Sequence, residues 1–356
     1  MGVGISLATR GWGMPQTVPM VGVSGIGSWP GTDVREAVRV VRDVLGEASA
    51  EGVTGLPYLP ELPARGPGAD MVGRATRLLV DLAVDLQPQG WRLVDRPGRD
   101  AERTASFWRH DLDELAEAYD GWSGPLKVQV GGPWTLASEL WLPLGDRVLS
   151  DAGATRDLCA SLAEGVAGHV GEVRRLVPGA EVVLQVDEPS LGTVLLGRVR
   201  SESGYRVLRA PEAAEAVAAL RQVLDGAVSG GAARTVVHYC AAPPPVPVLR
   251  DARPDALSLD VTALGARAWE SLAVAVEAGT ALWAGLVPAD GDPTAYRGPH
   301  DDLVARWGEV GLPRRDLADV TVTPACGLAG ATPRSARALT EATVRLAGDL
   351  AESAAG

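Results

Sequence analysis

The chain has 356 residues, 46% of them hydrophobic, enough to bury a sizeable core as one large domain. Forty-five acidic against 33 basic residues give a net charge of −12, which argues against nucleic acid or an anionic membrane as partner. Three cysteines make no disulfide framework, and neither a membrane-spanning run nor a signal peptide is read, so a reducing cytoplasm is expected.

Residues 1–20, with four glycines and two prolines, read as an extended lead-in. The first six match a myristoylation pattern that a glycine-rich chain meets by chance. Val21 to Ser28 is a strand running into Gly25-Ile26-Gly27-Ser28-Trp29-Pro30. Asp33 caps a helix to about Ala50, and a weaker strand, Val53 to Leu59, empties into Pro60-Glu61-Leu62-Pro63. A helix is expected from Asp70 to Leu86. Residues 88–125 read as an irregular insertion that is helical only over Asp111 to Tyr119.

From there the alternation is regular. Strands are expected at Leu126–Val130, Glu181–Val186, Thr235–His238, Ala256–Leu259, Ala281–Val287 and Val320–Val322. Helices are expected at 155–176, 211–228, 266–278, 301–310 and 333–350, with a short turn of helix before residue 256. Eight apolar strands alternating with helices describe a parallel sheet covered on both faces. The expected fold is α/β, a single-domain (β/α)8 TIM barrel spanning 21–356.

Polar residues recur at the carboxyl ends of these strands: Ser28, Glu61, Asp187, His238, Cys240, Asp260 and Cys326. In such a barrel those ends share one mouth, where active sites are built. His238 and Cys240 stand two apart at a strand end and can face the same way. With Cys326 they offer an N,S,S set suited to Zn²⁺, and Asp260 is the candidate fourth ligand. Asp187-Glu188 could cap a loop or receive a substrate ammonium, while Ser28 beside Gly27 could hold a carboxylate.

Four motifs resemble the cobalamin-independent methionine synthase family, in its C-terminal catalytic barrel. They are Gly25-Ile26-Gly27-Ser28-Trp29-Pro30, Gln185-Val186-Asp187-Glu188-Pro189, His238-Tyr239-Cys240 and Thr323-Pro324-Ala325-Cys326-Gly327-Leu328. Order and approximate spacing match over residues 20–350. The resemblance implies Zn²⁺ on His238, Cys240 and Cys326, with Asp260 where the family has a glutamate one methylene longer. It implies a homocysteine carboxylate at Ile26 and Ser28, and its amino group at Asp187 and Glu61. The implied activity is methyl transfer to the homocysteine thiol, forming methionine, with zinc yielding the thiolate. Full-length members carry a further N-terminal barrel, for which this length leaves no room, so a single-barrel form is expected. The proton-donating histidine after the seventh strand is missing from Leu286–Asp292, and His300 downstream reads as a surface helix residue. The methyl donor is therefore open between methyltetrahydrofolate and a methylcorrinoid protein. Trp134 and Trp141 could stack on a flat donor or simply pack in the core. Two other readings are alkyl transfer to a different thiol and a metal-free uroporphyrinogen decarboxylase-like barrel, which would need a basic pocket.

Overall fold

The computed structural model describes residues 20–48, 52–292 and 297–356. All of the expected lead-in except Met20, including the myristoylation-like segment, lies outside them. Eight strands form one parallel sheet: β1 (Val21–Ser24), β2 (Val53–Leu56), β3 (Ser123–Gly131), β4 (Gly179–Asp187), β5 (Arg234–Tyr239), β6 (Ala256–Asp260), β7 (Ala281–Val287) and β8 (Thr321–Pro324). Their order is β2-β1-β8-β7-β6-β5-β4-β3. The ring shuts between the end of β2 and β3. There the Lys127 amide donates to the Pro57 carbonyl at 2.9 Å and the Leu59 amide to the Lys127 carbonyl at 3.0 Å. The expected TIM barrel is thereby formed.

Helices cover its outside because their apolar faces pack on the outward residues of the strands. Asp33, Asp70, Asp151 and Thr332 each accept a backbone amide from the first turn of the helix they precede. The expected helix from Asp70 keeps its start but stops at Thr76, and Val84–Gln87 pairs antiparallel with Gly90–Leu93. Val84 and Leu86 alternate with Asp85 and Gln87, so a two-residue period wins there over the helical one. Residues 88–125 are more regular than expected, because a 20-residue helix runs from Arg99 to Ala118.

Inside the ring the base is closed by a small apolar cluster of Leu56, Val183, Val236, Ala256 and Trp283. Above it the inward positions turn polar: Lys127, Gln129, Gln185, Asp187, His238, Ser258 and Thr323 are all buried. Alternate residues of a strand face the same way, so each polar pair, such as Lys127 and Gln129, marks the inner face.

His169 lies buried in the helix Ala152–Leu176, its ring centroid 4.6 Å from that of Trp108 and its Nδ1 without a partner. Burial, then the nearby Arg74 charge, lower its pKa from 6.5 to about 3. Below about 6.5 the unfolded chain takes up a proton that the folded chain refuses until about 3. The stability tied to this group is therefore whole at neutral pH and is lost as pH falls through that window. His169→Phe keeps a ring against Trp108, and its denaturant midpoint should fall less on acidification than that of wild type. Equal acid sensitivity in the two proteins would refute the assignment.

Candidate metal centre and substrate pocket

Three strand ends converge on one patch of the mouth. His238, near the end of β5, is buried, with Nδ1 3.0 Å from Ser258 Oγ on β6. Its Nε2 is sealed from solvent yet has no hydrogen-bond partner. Cys240 follows two residues later, and its Sγ lies 3.1 Å from Sγ of Cys326 in the turn after β8. Ligand atoms of these three side chains all fall within 4.8 Å of one another. A buried ring nitrogen left unpaired is costly, and what the ring has near it are two cysteine sulfurs, weak hydrogen-bond partners. An N,S,S set of this kind suits a borderline-soft cation, so the residues fit a metal ion. Ser258 holds the other ring nitrogen and leaves Nε2 as the free donor.

The two thiols differ. The Cys326 thiol is drawn below its usual acidity range by the Cys240 thiol beside it and by the His238 ring. The Cys240 thiol is pushed up, first by Cys326 and then by burial.

Asp260 stands at the end of β6 but lies outside this three-residue group. Its Oδ1 accepts the Thr262 amide at 3.0 Å and the Thr262 hydroxyl at 2.6 Å, capping the short turn Val261–Ala263. Local capping by a side chain competes with any longer reach it could make.

The other expected residues surround the patch. The Gly27 carbonyl accepts the Glu61 amide at 3.0 Å, and the Trp29 amide donates to the Glu61 carbonyl at 2.7 Å, joining the β1 and β2 ends. Leu328 donates its amide to the Ser28 carbonyl at 2.9 Å, and a Cβ at Gly327 would lie 2.0 Å from Ser28 Oγ. The Ser28 hydroxyl therefore sits directly against the turn that carries Cys326. The Ile26 carbonyl, one turn position earlier, accepts Lys127 Nζ at 2.6 Å and Gln185 Nε2 at 2.8 Å.

Asp187 faces inward, in register with His238, and its Oδ1 accepts Gln185 Nε2 at 2.7 Å. Burial, opposed by His238, raises its pKa to about 7. Glu188 does the capping instead. It accepts the amides of Trp134 and Thr135 at 2.9 and 2.8 Å and the Thr135 hydroxyl at 2.8 Å. Glu61 is buried, its pKa raised by burial, and its Oε1 lies 3.2 Å from Arg74 Nε. Arg74 also pairs with Asp111, which Arg65 grips through both oxygens at 2.7 and 2.8 Å.

Trp134 and Trp141 are buried and their indole N–H groups are spent on the carbonyls of Ala216 and Gln89, both at 3.1 Å. His300 bonds Asp301 and Ser353, between surface helices, and Cys159 is buried in a helix. Five residues of the inner face were not singled out from sequence for the site: Lys127, Gln129, Gln185, Ser258 and Thr323. The signal was present, because Lys127 and Gln129 alternate with Leu126, Val128 and Val130 in an otherwise apolar strand.

Residues 21–349 match the family described as cobalamin-independent synthase, catalytic domain. The chain belongs to this family. It is similar in fold to a B12-independent methionine synthase from Shewanella sp. W3-18-1 solved with selenomethionine. That likeness has a TM-score of 0.61 at 14% identity, over 94% of this chain and 98% of that one. A putative vitamin-B12 independent methionine synthase from Listeria monocytogenes is alike with a TM-score of 0.59 at 14% identity, over 94% and 99%. No curated protein matches the chain. Among the described residues no helix is long and apolar enough to cross a membrane.

For this cobalamin-independent synthase domain the geometry ranks the metal-site side chains. His238→Ala and Cys326→Ser should abolish tight metal binding. Ser258→Ala, which frees the histidine ring, should weaken it by ~10–100-fold. Asp260→Ala should cost less than either ligand change, because its carboxylate is engaged with Thr262. Competition with a chromophoric chelator measures all four, and undiminished binding in Cys326→Ser would refute the centre.

Proposed function

We propose that the chain is a zinc-dependent methyltransferase that methylates the thiol of homocysteine to give methionine. The observation that carries this reading is the patch itself: an unpaired buried imidazole nitrogen and two thiols within 4.8 Å, next to a buried inward carboxylate. Family membership and the selenomethionine seen in the Shewanella protein support an amino acid with a soft side-chain atom.

His238, Cys240 and Cys326 would hold the zinc, with Asp260 able to add a ligand through Oδ2, its Oδ1 being engaged with Thr262. When bound, zinc supplies positive charge that lets a thiol lose its proton near neutral pH. Asp187 would accept the substrate ammonium, which replaces the cation its burial denies it. The backbone at Ile26 and the Ser28 hydroxyl would take the carboxylate. Glu61 lies nearby and is already paired with Arg74, so its part is to hold the β1 and β2 ends together and add negative potential. This clamp fixes the sulfur in place before the methyl group arrives, and orientation of that kind supplies much of the acceleration in a two-substrate displacement. The donor, methyltetrahydrofolate or a methylcorrinoid protein, brings the reactive carbon. Thiols and inward carboxylates give no support to the decarboxylase-like reading, which needs a basic pocket.

Purified protein given homocysteine and each donor in turn should form methionine with one of them. Asp187→Asn should raise the homocysteine KM by about tenfold or more, a charge-assisted hydrogen bond being lost, with the metal content unchanged. Failure of metal-loaded wild type with both donors would overturn the assignment.

A further inference from the structure

The chain has one lysine among its 33 basic residues, Lys127, and it lies on the barrel axis with no exposed surface. Its Nζ has three oxygen acceptors: the Ile26 carbonyl at 2.6 Å, Gln185 Oε1 at 2.9 Å and Gln129 Oε1 at 3.4 Å. It also lies 4.9 Å from the centroid of the Tyr58 ring. An ammonium has three rotatable donors about one point, which suits three acceptors. A guanidinium, planar and longer, does not fit that arrangement, and here alone the chain uses lysine.

Both neighbouring amides have their orientation fixed by what they donate to. Gln129 Nε2 donates to the Leu59 carbonyl at 2.7 Å, so its oxygen faces Lys127. Gln185 Nε2 donates to Asp187 Oδ1 at 2.7 Å and to the Ile26 carbonyl at 2.8 Å, so its oxygen also faces Lys127. One cation thus bonds the turn at Ile26 directly and reaches the Asp187 carboxylate through a single amide.

We propose that Lys127 is the positioning residue that holds the two halves of the amino-acid clamp in register. The inference rests on the proposed clamp, in which the turn at Ile26–Ser28 takes the carboxylate and Asp187 the ammonium. Lys127 touches neither substrate group. It fixes the Ile26 carbonyl, and hence the direction of the following backbone, and it makes Gln185 present its N–H to Asp187 rather than its oxygen.

The test is calorimetric titration of the metal-loaded protein with L-methionine and with its des-amino and des-carboxy analogues. Wild type should prefer the zwitterion to both analogues. In Lys127→Met the affinity for L-methionine should fall by about tenfold or more while that for the analogues changes little, removing the preference. Lys127→Arg, charge kept and geometry lost, should not restore it. A merely structural lysine would lower the melting temperature and leave the ratio of methionine to analogue affinity intact, which overturns the proposal. Should Lys127→Met not fold, Gln185→Glu carries the same test. That side chain still accepts from Lys127 but cannot donate to Asp187, so the preference should again vanish, and its survival overturns the proposal. Wild type that shows no preference for the zwitterion would instead overturn the clamp, a separate result from the first.

Discussion

The strand ring closes through the backbone of a single residue whose side chain is sealed in its axis. Lys127 gives its amide to Pro57 and takes the amide of Leu59, joining β3 to the end of β2. Closure is what brings β3, with the inward Lys127 and Gln129, against the ends of β1 and β2. Were β2 and β3 to part, the sheet would be an open one: β8 would still flank β1, but Lys127 and Gln129 would no longer reach the Ile26 and Leu59 carbonyls. The same residue that shuts the ring thus supplies the one ammonium inside it.

The interior is arranged as a gradient from apolar base to polar mouth. Leu56, Val183, Val236, Ala256 and Trp283 exclude water from below. Above them burial shifts the two buried charges in the expected sense, raising Asp187 to about 7 and lowering Lys127 to about 7. Each opposes the other's shift, as oppositely charged neighbours should. The outer pair, Glu61 with Arg74, is anchored a second time through Asp111 and Arg65. Breaking one member of such a buried network leaves its partner uncompensated, which costs more than the pair contributes.

Much of this was legible in the chain before any coordinates. The eight strands announce themselves as short apolar runs, and the strand-end motifs place His238, Cys240, Cys326, Asp187 and Ser28 on one rim. What escaped had a common cause: side chains with two uses. Leu82 to Gln87 satisfies both helical and strand periods, and only pairing with Gly90–Leu93 decides between them. Asp260 can reach forward or cap its own turn, and its Oδ1 caps through Thr262 two residues on. Of Asp187 and Glu188 one had to cap, and strand parity gives the task to Glu188. Lys127 is the sole lysine of the chain, but its surroundings depend on Ile26, 101 positions away, and Gln185, 58 positions away. No local pattern carries that information.

The contact between Gly327 and Ser28 has a further consequence. A hydrogen atom in place of a side chain lets the thiol-bearing turn rest on the serine hydroxyl, with the Leu328 amide bonded to the serine carbonyl at 2.9 Å. The separation between the Cys326 thiol and the turn at Ser28 is therefore fixed at its base by touching backbone rather than by long side chains that can swing. On the proposed reading the barrel would carry a caliper with fixed jaws, measuring how many methylenes lie between the soft atom and the charged end of an amino acid.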